Sequence, residues 1–90
     1  MYLNFLLFYV YILQSQKDGS YYIGYTGNME TRLKEHNEGS TRYTSHKRPW
    51  TLVYKEEFSI KSDAIKRERF LKKQRNQEFY KRLIRDTKND

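Results

Sequence analysis

Cysteine is absent from the 90 residues, which excludes a disulfide framework, a thiolate zinc site and a cysteine nucleophile together. That absence suits a reducing, cytoplasmic setting. Proline occurs once and glycine four times, so no Pro/Gly-rich linker is expected, and no repeat or low-complexity tract divides the chain. One domain over 1–90 is expected, with its core at about 9–84 and a frayed tail at 85–90. Acidic side chains are in the minority, 11 against 18 Lys and Arg, giving a net charge of +7 and a pI near 9.7. This balance suits a polyanionic partner better than an acidic metabolite, although charge alone fits a merely soluble basic protein as well.

Long apolar runs are missing too. The stretch Tyr2–Leu13 is apolar except for Asn4, but it ends after 12 residues, short of the roughly 20 that a spanning helix needs. No Lys or Arg precedes Lys17 and no A-x-A pattern follows, so a secretory signal is not expected either. A buried strand and no membrane partner are the expectation. A membrane-surface protein combining the apolar start with the basic charge is the weaker alternative.

Aromatic side chains, by contrast, are plentiful: nine Tyr, five Phe and one Trp. Each can bury roughly 150–250 Å², whereas a domain this small buries only about 60% of the surface its unfolded chain exposes. Aromatics should therefore supply much of a thin core.

The β-branched and aromatic run Phe8–Leu13, the turn residues Lys17-Asp18-Gly19 and the run Ser20–Tyr25 predict a β-hairpin. Asn28 can cap a following helix, with Glu30 in its first turn and Gly39 as its left-handed stop. Residues 40–48 are polar, basic and without period, which predicts a loop or a short irregular helix. Pro49 precedes a third strand, Trp50–Tyr54, running toward Phe58. Capping residues between Ser59 and Asp63 predict a second helix from Ala64, and Asn76 a third over Gln77–Ile84. The expected fold is α/β of the α+β kind, a small three-stranded, mostly antiparallel sheet flanked by helices in the order ββαβαα.

Phosphodiester hydrolysis requires a group that activates or positions water, a cation on the phosphate, and usually a carboxylate-bound metal. On the first helix Met29, Arg32, Leu33 and His36 fall at i, i+3, i+4 and i+7, so Arg32 and His36 flank the core-facing residues. Arginine offers phosphate a planar fork of donors and histidine exchanges a proton near neutrality. Equally, Arg32 can be a snorkelling edge residue and His36 a satisfied boundary imidazole. Glu68 interrupts the apolar stripe Ala64, Ile65, Leu71 and is costly to bury without a cation or a metal, although the surrounding Lys and Arg offer ready ion pairs. Across the hairpin, a two- or four-residue turn brings Tyr11 and Tyr22 to one surface and a three-residue turn separates them. Arg42, Tyr43, His46, Lys47 and Arg48 form a basic, aromatic segment suited to gripping nucleic-acid backbone without reading sequence.

Taken in order, these residues resemble the GIY-YIG nuclease family. Tyr9-Val10-Tyr11 stands in the GIY place, Tyr22-Ile23-Gly24 follows after ten residues as the second motif, and Arg32, His36 and Glu68 match later positions. The likeness covers roughly Tyr9 to Leu83 and is to the short bacterial members grouped with the amino-terminal nuclease module of the excision-repair endonuclease. It implies a DNA endonuclease in which Tyr22 activates or positions water, Tyr11 supports it, Arg32 clamps the scissile phosphate, His36 assists, and Glu68 binds one Mg²⁺ or Mn²⁺. It also implies 5′-phosphate and 3′-hydroxyl products, with a protein partner to supply specificity. Tyr9 replaces the first glycine of the motif, Tyr25 stands where the repair nuclease has a lysine, and Asn76 does not match the asparagine often found on the last helix. The alternative on the same fold is a weak or inactive nucleic-acid-binding module.

Overall fold

The computed structural model describes residues 6–88, so the first four residues of the apolar run, 2–5, lie outside the described residues. Strands β1 (Phe8–Ser15) and β2 (Tyr21–Thr26) are followed by helix α1 (Met29–Glu38), a 3-10 turn at Ser45–Lys47, strand β3 (Trp50–Phe58), and helices α2 (Lys61–Gln74) and α3 (Gln77–Lys88). The order is ββαβαα, as the sequence predicts. β1 lies at the centre of a β2-β1-β3 sheet in which both pairings are antiparallel.

The hairpin register depends on a four-residue turn, Gln16–Gly19. Ser15 N–H donates to the Ser20 carbonyl at 2.8 Å, and Gly19 N–H to the Ser15 carbonyl at 2.9 Å. Gly19 sits at φ 78, a left-handed conformation that glycine adopts without steric penalty. The Asp18 carboxylate accepts from both the N–H and the hydroxyl of Ser20, at 3.0 and 2.6 Å, and so pins the turn. With four residues in the turn, Tyr11 pairs with Gly24 and Leu13 with Tyr22. Odd residues of β1 therefore share a face with even residues of β2, and Tyr11 and Tyr22 share one surface.

Two apolar layers enclose the sheet. On one face Tyr11, Leu13 and Trp50 pack with Met29 and the partly buried Leu33 of α1. On the other, Val10, Ile12, Ile23 and Tyr54 pack against Ala64 and Leu71 of α2 and Tyr80 of α3. Each fully buried aliphatic side chain contributes about 1.5–3 kcal/mol relative to exposure. Strict alternation along β3 would put Trp50, Leu52 and Tyr54 on one face. A register shift between Ile12 and Leu13, where Tyr54 and Leu52 are the successive partners, leaves Val53 as the extra residue of a bulge. Trp50 and Leu52 thereby reach the α1 layer while Tyr54 reaches the α2 layer.

Three helix ends follow the expected capping chemistry. Asn28 Oδ1 accepts from Thr31 N–H at 3.1 Å, Gly39 closes α1 at φ 82, and Asn76 Oδ1 accepts from Glu78 N–H at 2.9 Å. α2, however, begins at Lys61 behind Ile60, three residues before Ala64, because the Ile60 carbonyl already accepts from Asp63 and Ala64. α3 also runs past Arg85 to Lys88, through residues predicted as tail, and the Thr87 hydroxyl donates to the Leu83 carbonyl at 2.9 Å. Among the described residues no helix is long and apolar enough to cross a membrane.

Candidate active site

Tyr11 stands mid-strand on the α1 face of β1, directly opposite Gly24 of the edge strand. A Cβ added at Gly24 would lie 2.5 Å from the Tyr11 hydroxyl oxygen and 2.7 Å from its ring Cζ. Glycine at 24 is therefore what lets the phenol lie across β2. The ring is 1% exposed, and its hydroxyl meets His36 Nε2 at 3.0 Å.

His36 reaches this point because α1 carries it one turn beyond Arg32 on the inward flank, and it is 0% exposed. Its other nitrogen, Nδ1, meets the Thr44 hydroxyl at 2.8 Å. That hydroxyl donates to the Thr41 carbonyl, so its lone pairs receive the Nδ1 proton. Nε2 is then the acceptor, and the Tyr11 O–H donates to it. Burial, followed by the nearby Arg32 charge, lowers the imidazole to about 4, with Glu35 opposing. His36 is accordingly neutral at physiological pH.

Burial likewise pushes the Tyr11 hydroxyl up to about 12, while Arg32 pulls the other way and the charges of Tyr22 and Glu68 add to the rise. Tyr11 is thus a protonated donor with its oxygen turned to a cation, not a base. Arg32 is held above the usual arginine range first by that hydroxyl and then by Glu35, whose carboxylate lies 3.1 Å from Nη1. One edge of the guanidinium is occupied by Glu35, and the planar fork has further donors.

Tyr22 completes the group from β2. Its ring lies 4.9 Å from His36, 6.2 Å from Trp50 and 6.4 Å from both Tyr11 and Tyr43. Unlike Tyr11 it is only half-buried and lines two surface depressions. Water can therefore meet Tyr22 where Tyr11 is sealed.

Glu68 comes from the opposite layer, on α2, yet its charge acts on the Tyr11 hydroxyl. Its side chain is 14% exposed and pairs with the exposed Lys72 at 3.5 Å. The anomaly in the helical stripe is thereby accounted for as a shielded carboxylate with an exposed cation beside it.

The basic segment after α1 does not form one platform. Tyr43 is exposed and stands beside Tyr22. Lys47 turns back to Asp18 at 3.1 Å and to the Ser20 hydroxyl at 3.3 Å. His46 and Arg48 line a separate depression with Lys17 and Asn37, and Arg48 Nε donates to the Ser45 carbonyl at 2.8 Å. Arg42 is exposed, and its carbonyl accepts from the Ser45 hydroxyl at 3.2 Å.

Three contributors carry no distinct sequence signal. Thr44 orients His36 from inside a polar loop whose composition marks it only as surface. Trp50 donates its indole N–H to the Thr44 carbonyl at 3.0 Å and walls the Tyr22 ring. Asn37 holds the entry of β3, accepting from Trp50 N–H at 2.6 Å and donating to its carbonyl at 3.1 Å.

Residues 7–82 match the family described as the GIY-YIG catalytic domain. A UPF0213 protein of Staphylococcus haemolyticus is 52% identical over 61 residues, covering 67% of this chain and 73% of the relative. Another, from Bacillus licheniformis, is 47% identical over 75 residues, covering 80% and 76%. The solution NMR structure of a UPF0213 protein from Bacillus halodurans is 34% identical and covers 87% of this chain and 82% of its own, with a TM-score of 0.53. With Tyr11, Tyr22, Gly24, Arg32 and His36 gathered at one strand edge and the match spanning nearly the whole chain, this protein belongs to the GIY-YIG family.

Proposed function

We propose that this protein is a metal-dependent endonuclease that hydrolyses DNA phosphodiester bonds, acting in the cytoplasm in DNA repair or processing. The observation that carries the proposal is the gathering of Tyr11, Tyr22, Arg32 and His36 beside Gly24. Arg32 receives the scissile phosphate, because its guanidinium stays charged and keeps donors beyond those used by Glu35. Tyr22 positions the attacking water, being the tyrosine open to solvent. Tyr11 and His36 are its support: both are buried, neutral and hydrogen-bonded to each other, so they fix geometry without trapping charge.

Among the described residues no group of three or more His, Asp or Glu side chains gathers. Glu68 alone is a donor set that suits Mg²⁺ or Mn²⁺, hard ions that keep several waters and take further ligands from substrate phosphate. Held by Glu68, such an ion would neutralise developing charge on the phosphate and acidify water. The products proposed, on the family resemblance, are 5′-phosphate and 3′-hydroxyl ends. A protein partner supplies specificity that this basic surface does not encode.

The test is incubation of the purified protein with labelled single-stranded, duplex and branched DNA in Mg²⁺, Mn²⁺ or EDTA, beside the Glu68→Ala and Arg32→Ala variants. Metal-dependent cutting should fall by about 10²-fold or more in either variant, with the fold unchanged by circular dichroism. Salt-sensitive binding without cutting on any substrate would instead leave a binding module.

A further inference from the structure

A groove runs along the free edge of β2, between the loop after α1 on one side and the α2–α3 junction on the other. Tyr22 and Tyr43 line it with Lys72, Arg75 and Tyr80. Its volume of about 710 Å³ falls within the range of roughly 300–1,000 Å³ usual for pre-formed ligand sites. Beyond Tyr43 the groove continues into a smaller recess, where Tyr22, Tyr43 and Trp50 supply the walls and Lys47 stands at the rim.

Two features of this groove run against stability. Tyr43 is 85% exposed although it is a large aromatic, and its ring stands 6.4 Å from that of Tyr22. Arg75 ends α2 at φ 46 and ψ 38, the left-handed position usually taken by glycine. Its backbone is held there by a bond from Arg75 N–H to the Tyr80 hydroxyl at 3.2 Å, and Tyr80 in turn donates to the Leu71 carbonyl at 2.7 Å. A non-glycine residue kept in a left-handed cap, with a cationic side chain lining the groove, is a strained position at which the side chain has a use.

We infer that this groove is a subsite for an unpaired nucleotide beside the reaction centre, so that the substrate is single-stranded DNA. The inference rests on the nuclease reading and specifies its substrate. An aromatic recess binds the face of a base, and in a duplex both faces are covered by neighbouring base pairs. Tyr43 stacks on the base, Tyr22 and Trp50 close the recess, and Arg75 and Lys72 take the adjoining phosphate.

The experiment measures binding of labelled oligo-dT and of a blunt duplex in EDTA, for wild type, Tyr43→Ala, Tyr43→Trp, Arg75→Gly and Arg75→Asn. Trp50 is the only tryptophan in the chain, so in every protein of the set except Tyr43→Trp, whose binding is read from the labelled DNA, quenching of its emission reports occupancy of the recess directly. Tyr43→Ala should weaken oligo-dT binding about tenfold or more while barely changing duplex binding, and Tyr43→Trp should retain it. Arg75→Gly should melt no lower than wild type yet bind oligo-dT several-fold more weakly, with a salt slope shallower by about 0.7 for the lost phosphate contact. Arg75→Asn, which also tolerates the left-handed backbone, should match it. Wild-type binding in Arg75→Gly, an equal loss on duplex and single strand in Tyr43→Ala, or a wild type that binds no oligo-dT would each overturn the subsite. A wild type that binds oligo-dT with Trp50 quenching but never cuts it in Mg²⁺ or Mn²⁺ upholds the subsite and removes the nuclease reading instead.

Discussion

Mild acid should weaken this protein through His36. In the unfolded chain the imidazole takes up a proton near its ordinary 6.5, whereas in the fold burial delays protonation to about 4. Between those values the unfolded state binds more protons. The contribution is therefore complete above about pH 6.5 and drains away as pH falls toward 4. At about 1.4 kcal/mol per decade, a displacement of roughly 2.5 decades sets an upper limit of about 3 kcal/mol. Carboxylate protonation adds its own losses at the acid end, so the informative quantity is the difference between wild type and His36→Gln in urea unfolding, followed from about pH 7.5 to 4.5. That difference should shrink by roughly 2–3 kcal/mol across the window. In a His46→Gln background the remaining imidazole resonance belongs to His36 and should stay in its neutral form down to about pH 5. Parallel unfolding curves for the two proteins, or a resonance that titrates near 6.5, would refute the claim that the ring is sealed and neutral.

Gly24→Ala should cost about 1–3 kcal/mol and most of the cleavage activity, because the new Cβ must displace the Tyr11 hydroxyl that it approaches to 2.5 Å. Thermal melts and cleavage assays check it, and full activity in the Gly24→Ala variant would mean that Tyr11 yields freely. Thr44→Val keeps the side-chain shape but leaves His36 Nδ1 buried without a partner, a loss of about 1–3 kcal/mol that Thr44→Ser should largely restore. Unchanged stability in the valine variant would sink the Thr44–His36 hydrogen bond as a stabilising contact.

Much of the fold was legible because local chemistry and global pattern agree. Phe8–Leu13 and Tyr21–Tyr25 carry strand residues around a real turn, and Asn28, Gly39 and Asn76 cap as their side chains and backbone dictate. The α2 start was not legible, since Ile60 offers no capping oxygen and the polar residues after it look like the better N-cap. The β3 bulge at Val53 was also hidden, because a single inserted residue leaves the composition of a strand unchanged. Within the site, the helical period put Arg32 and His36 on one flank of α1, whereas the Tyr11–Tyr22 pair depended on a turn length that the sequence left open and the four-residue turn decides. Thr44, Trp50 and Asn37 were not legible, because their roles come from contacts across the loop between Gly39 and Pro49, which has no period to read.

Departures from local stability rules are found on β2 and on the helices α1 and α2. Gly24 interrupts a strand where a β-branched residue would be favoured, a fully buried histidine gives up its charge, a carboxylate sits in the stripe of α2, and Arg75 occupies a glycine's conformation. Each is unfavourable by itself; Gly24 admits the Tyr11 hydroxyl that meets His36, and Arg75 lines the groove beside β2. The central strand tolerates this because its even-numbered face is packed independently, with Val10 and Ile12 sealed against Ala64 and Leu71. That layer anchors the sheet under α2, while the α1 face carries Tyr11, Tyr22 and His36 beside its own apolar residues Leu13, Met29 and Trp50. Substitutions in the α2 layer should consequently act through global unfolding. Those at the exposed groove positions Tyr43 and Arg75 should separate binding from stability, the distinction on which the Arg75→Gly experiment depends.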